Sequence, residues 1–504
     1  MKCEDPGAFA KVLRQRQPPE CLDIVSSYQH LSVYFSAHHS ALIRDWLSLE
    51  SVRDDTEEPR LHEILIWYNS EWMSELSSKL EVSVEEIISL HSSATFTVAA
   101  LGFSPGFPYL TGLPPELYLP RKDTPSRLPA GTVAIAADQA GIYPNNSLGG
   151  WYPLGLTDAP LFDPNLEPHA LLQPGDQITF SPSSKKLTPS FAPDPEFQEG
   201  HSVITVESAG PSTSVQAPER FGYRNLGVTP GGSADPEMVA ALNLLLGNGE
   251  DFSVLEFALE APILRFTQAT EVAFLGPNHP QAGRVIQMKA GAILDLKSHA
   301  MQSSFGALAI RRGFSVTKIL GSAVTDLRAG FGGKAIQAGD TLHQDSHPSA
   351  EIRHSSKNVI RWPLLSTDSL TIRVLAGEQA DWFSEDWADV SFQKSAQFDR
   401  TAARLSGSLL VSDRKEELTS RPIVSGAIQV PPDGTPTVLL PECQTIGGYP
   451  VIAHVISADL AAFTRAKPGT VIRFEKITLS EAQRACEIQQ RKLAFLRCGL
   501  NLSE

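Results

Sequence analysis

Leu101-Gly102-Phe103-Ser104-Pro105-Gly106-Phe107-Pro108-Tyr109-Leu110 is the stretch that fixes how the rest of the chain is read. A helix cannot run through Pro105 and Pro108, because each removes an amide donor and crowds the turn before it. The glycines give the backbone the freedom that tight turns need. The same texture continues downstream. Pro129-Ala130-Gly131 precedes the alternating Thr132-Val133-Ala134-Ile135, and Gly141-Ile142-Tyr143-Pro144 and Gly149-Gly150-Trp151 follow. Short apolar runs between Gly and Pro read as strands and turns, so the fold class is mostly β with a few helices.

The whole chain agrees. Its 504 residues contain 36 Gly and 37 Pro, with 42% hydrophobic and 20% charged residues. That composition builds globular cores and excludes wholesale disorder. A net charge of −15 argues against nucleic acid, whose phosphates demand clustered Lys and Arg. No run approaches the roughly 20 apolar residues of a membrane span. The N-terminus, with acidic residues and prolines where a signal peptide carries a basic patch and an apolar stretch, places the protein in the cytoplasm. Five cysteines without a CxxC pair suggest neither a zinc site nor a disulfide framework.

The polar, Pro-rich run from Ser181 to Ser202 marks a break. Residues 1–182 are read as one domain, 183–202 as a linker, and 203–355 and 356–504 as two lobes, with a weaker break at 343–361. Helices are few. Ser83 and Glu86 have capping-box spacing, which puts His91 in the last turn of a short helix. Asp235 caps a second helix that has Pro236 at its first position and Gly247 just past its end. A third starts at Ser480. Gly330-Phe331-Gly332-Gly333-Lys334-Ala335 lacks the spacing and hydroxyl of a phosphate loop. The adjacent His38 and His39 cannot chelate one metal from a strand, and no metal is expected.

The ordered series 101–110, Pro120-Arg121-Lys122, 129–135, 141–144 and 149–151 resembles the B subunit of bacterial 5-oxoprolinase, also called allophanate hydrolase subunit 1 or the KipI type. Gly222-Tyr223-Arg224-Asn225, Gly231 to Pro236, Val254-Leu255-Glu256, Gly426 to Pro431 and Gln444-Thr445-Ile446-Gly447-Gly448-Tyr449-Pro450 resemble the C subunit, the KipA type. The chain is thus similar to a fused B–C pair of this biotin-dependent carboxyltransferase-like family, with a short N-terminal lobe. The resemblance implies cyclophilin-like β-barrel domains, one in the first half and two in the second. It implies ATP-dependent opening of 5-oxo-L-proline to L-glutamate, with a partner of the LamB/YcsF type, the A component, and little activity without it. ATP would be bound by this chain or with the partner, and no biotin is attached to this chain. The alternatives are a carboxyltransferase component of urea or allophanate metabolism and a KipI-like regulatory binding module.

Candidate residues follow. His91 has the intrinsic pKa of a neutral-pH acid or base, and a helix C-terminus favours its charged form. Glu256 sits beside an apolar run where burial raises a carboxyl pKa. These two are the catalytic candidates. For an anionic amide or lactam substrate the resemblance designates Pro105, Gly106, Tyr109, Arg121, Arg127, Tyr143, Gly149, Gly150, Trp151, Arg224, Gln429, Gln444, Thr445, Gly447, Gly448 and Tyr449. Glycine backbones admit close approach, Arg121 can pair with an anion, and the aromatic residues can wall a cleft. The competing reading is tight barrel turns with aromatic filling. Departures from the family pattern at Ser126-Arg127, Ala217, Arg311-Arg312 and Thr401-Ala402 bear on substrate range.

Overall fold

A computed structural model describes residues 6–36, 39–49, 59–122, 124–189, 200–330, 332–344, 359–360, 368–414 and 418–499. Half of the expected linker and most of the break near 343–361 lie outside those residues. Most elements among the described residues are strands, accompanied by seven α-helices.

A hairpin of β1 (Cys21–Ser27) and β2 (His30–Phe35) precedes the first barrel, turning at Tyr28-Gln29 between the paired Ser27 and His30. The helix Pro6–Gln15 packs Phe9, Ala10 and Leu13 against it. The next strands are β3 (Leu61–Tyr68), β4 (Phe96–Leu101), β5 (Pro108–Thr111), β6 (Ser126–Leu128), β7 (Thr132–Ala136), β8 (Gln139–Tyr143), β9 (Ser147–Gly149), β10 (Tyr152–Leu156) and β11 (Gln177–Pro182). Seven of them close a ring in the order β10, β3, β11, β4, β5, β8, β7, in which only β3 and β11 run parallel. β6 and β9 form a separate ribbon beside it.

The second half opens with two sheets. One orders Ile293–Asp295, Ile263–Phe266, His201–Ser208 and Thr341–Gln344; the other orders Ser212–Gln216, Val254–Ala258, Phe305–Ile310, Thr270–Leu275 and Ile286–Met288. This lobe is therefore a pair of open sheets among the described residues, where a closed barrel was expected. The two sheets pack on a shared core around Leu255, Phe257, Phe266 and Phe274. The helix Pro236–Leu246 is apolar on all sides and is buried along nearly its whole length, which an amphipathic surface helix would not be.

A second seven-stranded ring follows: Ser369–Ala376, Val451–Val455, Ala427–Gln429, Thr437–Leu439, Ala402–Gly407, Phe392–Phe398 and Val471–Lys476. It repeats the first. Its first and last strands in sequence are the parallel pair, and a two-stranded ribbon, Arg421–Pro422 with Ile446–Gly447, stands where β6 and β9 stand. On this superposition of topologies Gly149-Gly150-Trp151 and Gly447-Gly448-Tyr449 are the same loop in two copies.

Buried charges pin the lobes together. Arg400 pairs with both Glu256 and Glu442, and Arg465 with Asp235, the expected helix cap. Lys394 donates to Ser304 Oγ at 3.2 Å and to the carbonyls of Phe463 and Thr464, the last turn of the helix Ser457–Arg465. Such carbonyls have no intrahelical partner and welcome a cation. The first barrel joins the second half through Gly106 N to Leu226 O at 2.8 Å, Asn145 Nδ2 to Ala329 O at 2.9 Å, and Arg328 to the Phe103 carbonyl.

Candidate functional site at the seam between the barrels

Successive side chains of β5, β7 and β8 alternate across the sheet. Leu110, Val133, Ile135, Ala140 and Ile142 fill the first barrel. Tyr109, Ala134, Ala136 and Tyr143 face outward, where they meet Phe107, Trp151, Val25 of the hairpin and Ile446 of the second half. The aromatic wall thus lies on the outside of the barrel, under the rest of the protein. β7 and β8 are buried at every position for that reason.

The wall needs glycine to form. A Cβ on Gly141 would stand 2.8 Å from Phe107 Cζ and 3.0 Å from Trp151, and one on Gly149 would strike the Tyr143 phenol. The rings fill that space edge to face: Phe107 lies 4.9 Å from Tyr109, 5.1 Å from Tyr143 and 5.8 Å from Trp151 between centroids. This is the geometry aromatic quadrupoles prefer. Gly102 plays a matching part, since a Cβ there would sit 2.5 Å from Ile446 Cδ1.

Arg121 rises at the edge of this wall. It is half-buried, and no carboxylate among the described residues pairs with it. Its Nη2 lies 3.7 Å from where a Cβ on Gly448 would be, with Ser420 Oγ at 3.3 Å and the Leu418 carbonyl at 3.2 Å from the same point. The Gly448 loop of the second barrel therefore closes over an arginine of the first. Burial pushes the Tyr109 phenol up to about 12, and the Arg121 charge and a hydrogen bond with Ser420 draw it back. Burial likewise raises Tyr143 and Tyr28, both within reach of the Arg121 charge. Neutral phenols and a guanidinium make a place for an anion with an apolar body, and offer no general base.

The other named residues divide. Gly150 accepts from Lys122 N at 2.8 Å, which fastens the Gly149–Trp151 loop beside Arg121. Gln429, Gln444 and Gly447 lie together on the other side of the Gly447–Gly448 turn: a Cβ on Gly447 would be 3.1 Å from Gln429 Nε2 and 3.4 Å from Gln444 Nε2. Gln429 Nε2 and the Thr445 hydroxyl are buried without hydrogen-bond partners. Tyr449 is exposed at the end of this loop, and Arg127 is exposed on the β6 ribbon. Gly106 spends its N–H on Leu226, and Pro105 has none to give, so neither offers a donor to a ligand. Arg224 is a strap: its N–H donates to Asp23 at 3.0 Å, and its guanidinium covers the Tyr34 ring at 4.6 Å.

Both catalytic candidates lie in closed surroundings. His91 is fully buried under the first barrel, with Nδ1 2.8 Å from the Tyr68 hydroxyl and its ring 4.6 Å from Phe180 and 5.2 Å from Phe96. Burial lowers its pKa to about 3, so the helix terminus does not keep it charged. Glu256 is buried as anticipated, but its carboxylate is taken by Arg400, by Ser233 Oγ at 2.5 Å and by Ala234 N at 2.8 Å. A carboxylate with its lone pairs so occupied braces a lobe interface and is not a free base.

Sequence reasoning missed three residues at the seam: Ser420, Tyr28 and Gln139. Gln139 lies on β8 on the same side as Gly141 and Tyr143, with a buried and unpartnered Oε1. Its place in the alternation was the available signal.

The profile of the carboxyltransferase domain, subdomain C and D, matches residues 2–172, and that of subdomain A and B matches residues 226–476. The 5-oxoprolinase C subunit of Escherichia coli (strain K12) is 32% identical over 306 residues, spanning 57% of this chain and 96% of the relative. The chain belongs to the carboxyltransferase-domain family that includes the 5-oxoprolinase subunits. The 5-oxoprolinase B subunit of Haemophilus influenzae is 37% identical over 180 residues, 34% of this chain and 84% of the relative. The crystal structure of TTHA0988 aligns with a TM-score of 0.82 at 31% identity, over 94% of this chain and 98% of that one. B-like and C-like sequences are thus joined in one member of the carboxyltransferase-domain family. No helix among the described residues is long and apolar enough to cross a membrane.

Proposed function

We propose that this chain is the fused B–C component of a cytoplasmic, ATP-dependent 5-oxoprolinase, opening the lactam of 5-oxo-L-proline to L-glutamate with a LamB/YcsF-type partner. The observation that carries the reading is Arg121, unpaired with any carboxylate among the described residues, on an aromatic wall and covered by the Gly448 loop of the other barrel. A small lactam acid offers a carboxylate to the guanidinium and a ring to the aromatic side chains. Charge-assisted bonds of this kind contribute about 1.5–3 kcal/mol each.

The chain's own residues bind and orient in this reading. Arg121 holds the carboxylate, and the ring edges of Tyr109, Tyr143 and Trp151 exclude water. The Gly332-Gly333-Lys334 run does not fit a nucleotide, since Lys334 is drawn to Asp340 at 3.0 Å. We therefore assign ATP to the LamB/YcsF-type partner, or to the surface it shares with this chain. ATP supplies activation of the lactam carbonyl, whose amide resonance makes it a poor electrophile.

The test is reconstitution. The purified chain alone is expected to show negligible 5-oxoproline-dependent ATP hydrolysis, and adding a LamB/YcsF-type protein to restore it. Full activity in isolation refutes the division of labour. The carboxyltransferase profiles favour one other reading, carboxyl transfer to urea or a related amide. Silence with the partner, together with turnover of carboxylated biotin and urea, would establish it. Silence in both assays leaves the binding module.

A further inference from the structure

The turn of the N-terminal hairpin carries a feature that folding alone does not require. Tyr28 has φ +33°, in the left-handed region that bulky side chains avoid. Glycine or asparagine is the usual occupant of such a two-residue turn. The strained backbone sends the ring onto the aromatic wall, 6.3 Å from Tyr109 at 68°. Its hydroxyl ends there buried, with no hydrogen-bond partner. A buried hydroxyl without a partner destabilises the free protein, and local strain persists where function holds it. The Arg121 and Asp138 charges both act on that phenol.

We propose that Tyr28 is a ligand-binding residue, donating its phenolic hydrogen to the same anionic group that Arg121 holds. The inference rests on the reading of the Arg121 site given above and adds its second donor. It also explains the hairpin, because β1 and β2 deliver one side chain to a site built by two barrels. A carboxylate has two oxygens, and a guanidinium with a phenol satisfies both.

The test is titration of the full chain with 5-oxo-L-proline by calorimetry, for wild type, Tyr28→Phe and Arg121→Ala, with a thermal melt of each. Tyr28→Phe removes one unpartnered oxygen, so the melting temperature is expected to hold or rise while affinity falls about tenfold or more. A merely structural tyrosine would lower the melt and spare affinity. If Arg121→Ala weakens binding and Tyr28→Phe binds like wild type, the inference is overturned and the Arg121 site survives. If Arg121→Ala also binds like wild type, or wild type does not bind, the reading of the site falls and the inference with it.

Discussion

Replacing His91 with phenylalanine and following stability from pH 7.5 to pH 5 decides whether this histidine is a proton carrier or core. Its folded pKa, about 3, lies below the ordinary value near 6.5. Between those values the unfolded chain binds a proton that the folded barrel refuses. The stability His91 permits is therefore fully present above pH 6.5 and is lost as pH falls. At pH 5 the loss is about 2 kcal/mol, from 1.5 pH units at 1.36 kcal/mol each. Phenylalanine does not titrate and suits the neighbours Phe96 and Phe180, but it forfeits the bond to Tyr68, worth about 1 kcal/mol. The variant should be slightly weaker at pH 7.5 and stronger than wild type at pH 5. Hydrogen exchange of the β4 and β11 amides, which report this barrel apart from the other lobes, is the assay. Equal pH slopes in the two proteins would refute the burial argument.

Two further substitutions probe the seam and its bracing. Gly141→Ala places a methyl 2.8 Å from Phe107 Cζ, and overpacking of this kind destabilises by about 1–3 kcal/mol; melting should fall and 5-oxoproline binding weaken, and no change in either would mean the wall is loosely packed. Glu256→Ala leaves Arg400 short of a partner in a buried site, with an expected loss of about 3–5 kcal/mol. Adding Arg400→Met strands the second buried carboxylate, Glu442, so the double variant should recover none of that loss, whereas a Glu256 that acted as a base would lose turnover at unchanged stability.

The fold class was legible because Gly and Pro punctuate the chain at strand intervals, and the helix at Pro236–Leu246 because Asp235, Pro236 and Gly247 are local signals. Arg121 and the aromatic residues were legible as a set because they crowd the same Gly-rich loops. What could not be read was direction. Tyr109 and Leu110 are neighbours in sequence, yet one faces the seam and the other the barrel interior. His91 and Glu256 show the same limit: residue type and local context suggested chemistry, while their neutralising surroundings, Phe180 on one and Arg400 on the other, come from more than 80 residues away. The N-terminal helix and hairpin carried no clear signal, and with them went Tyr28.

The repeated barrel explains why the site lies at a seam. In the first barrel the outward face of β5, β7 and β8 is covered; in the second, Ala427 and Leu439, on the strands equivalent to β7 and β8, form their own cluster with Val451, Ile423 and Cys443. Ile446, on the ribbon between them, belongs to the first barrel's aromatic cluster. The second barrel thus meets the aromatic wall through its ribbon, and the two Gly-Gly-aromatic loops come from corresponding positions. Identical folds do not make identical halves. The first copy supplies Arg121 and its phenols, and the second supplies small residues and the Gly448 turn, so neither outward face alone has both the charge and the cover. As separate chains, two such faces would have to associate around buried polar groups that lack partners, including Tyr28, Gln139, Gln429 and Thr445, which weakens association. Joining them makes the encounter intramolecular, and so permits a seam polar enough to hold a small anion.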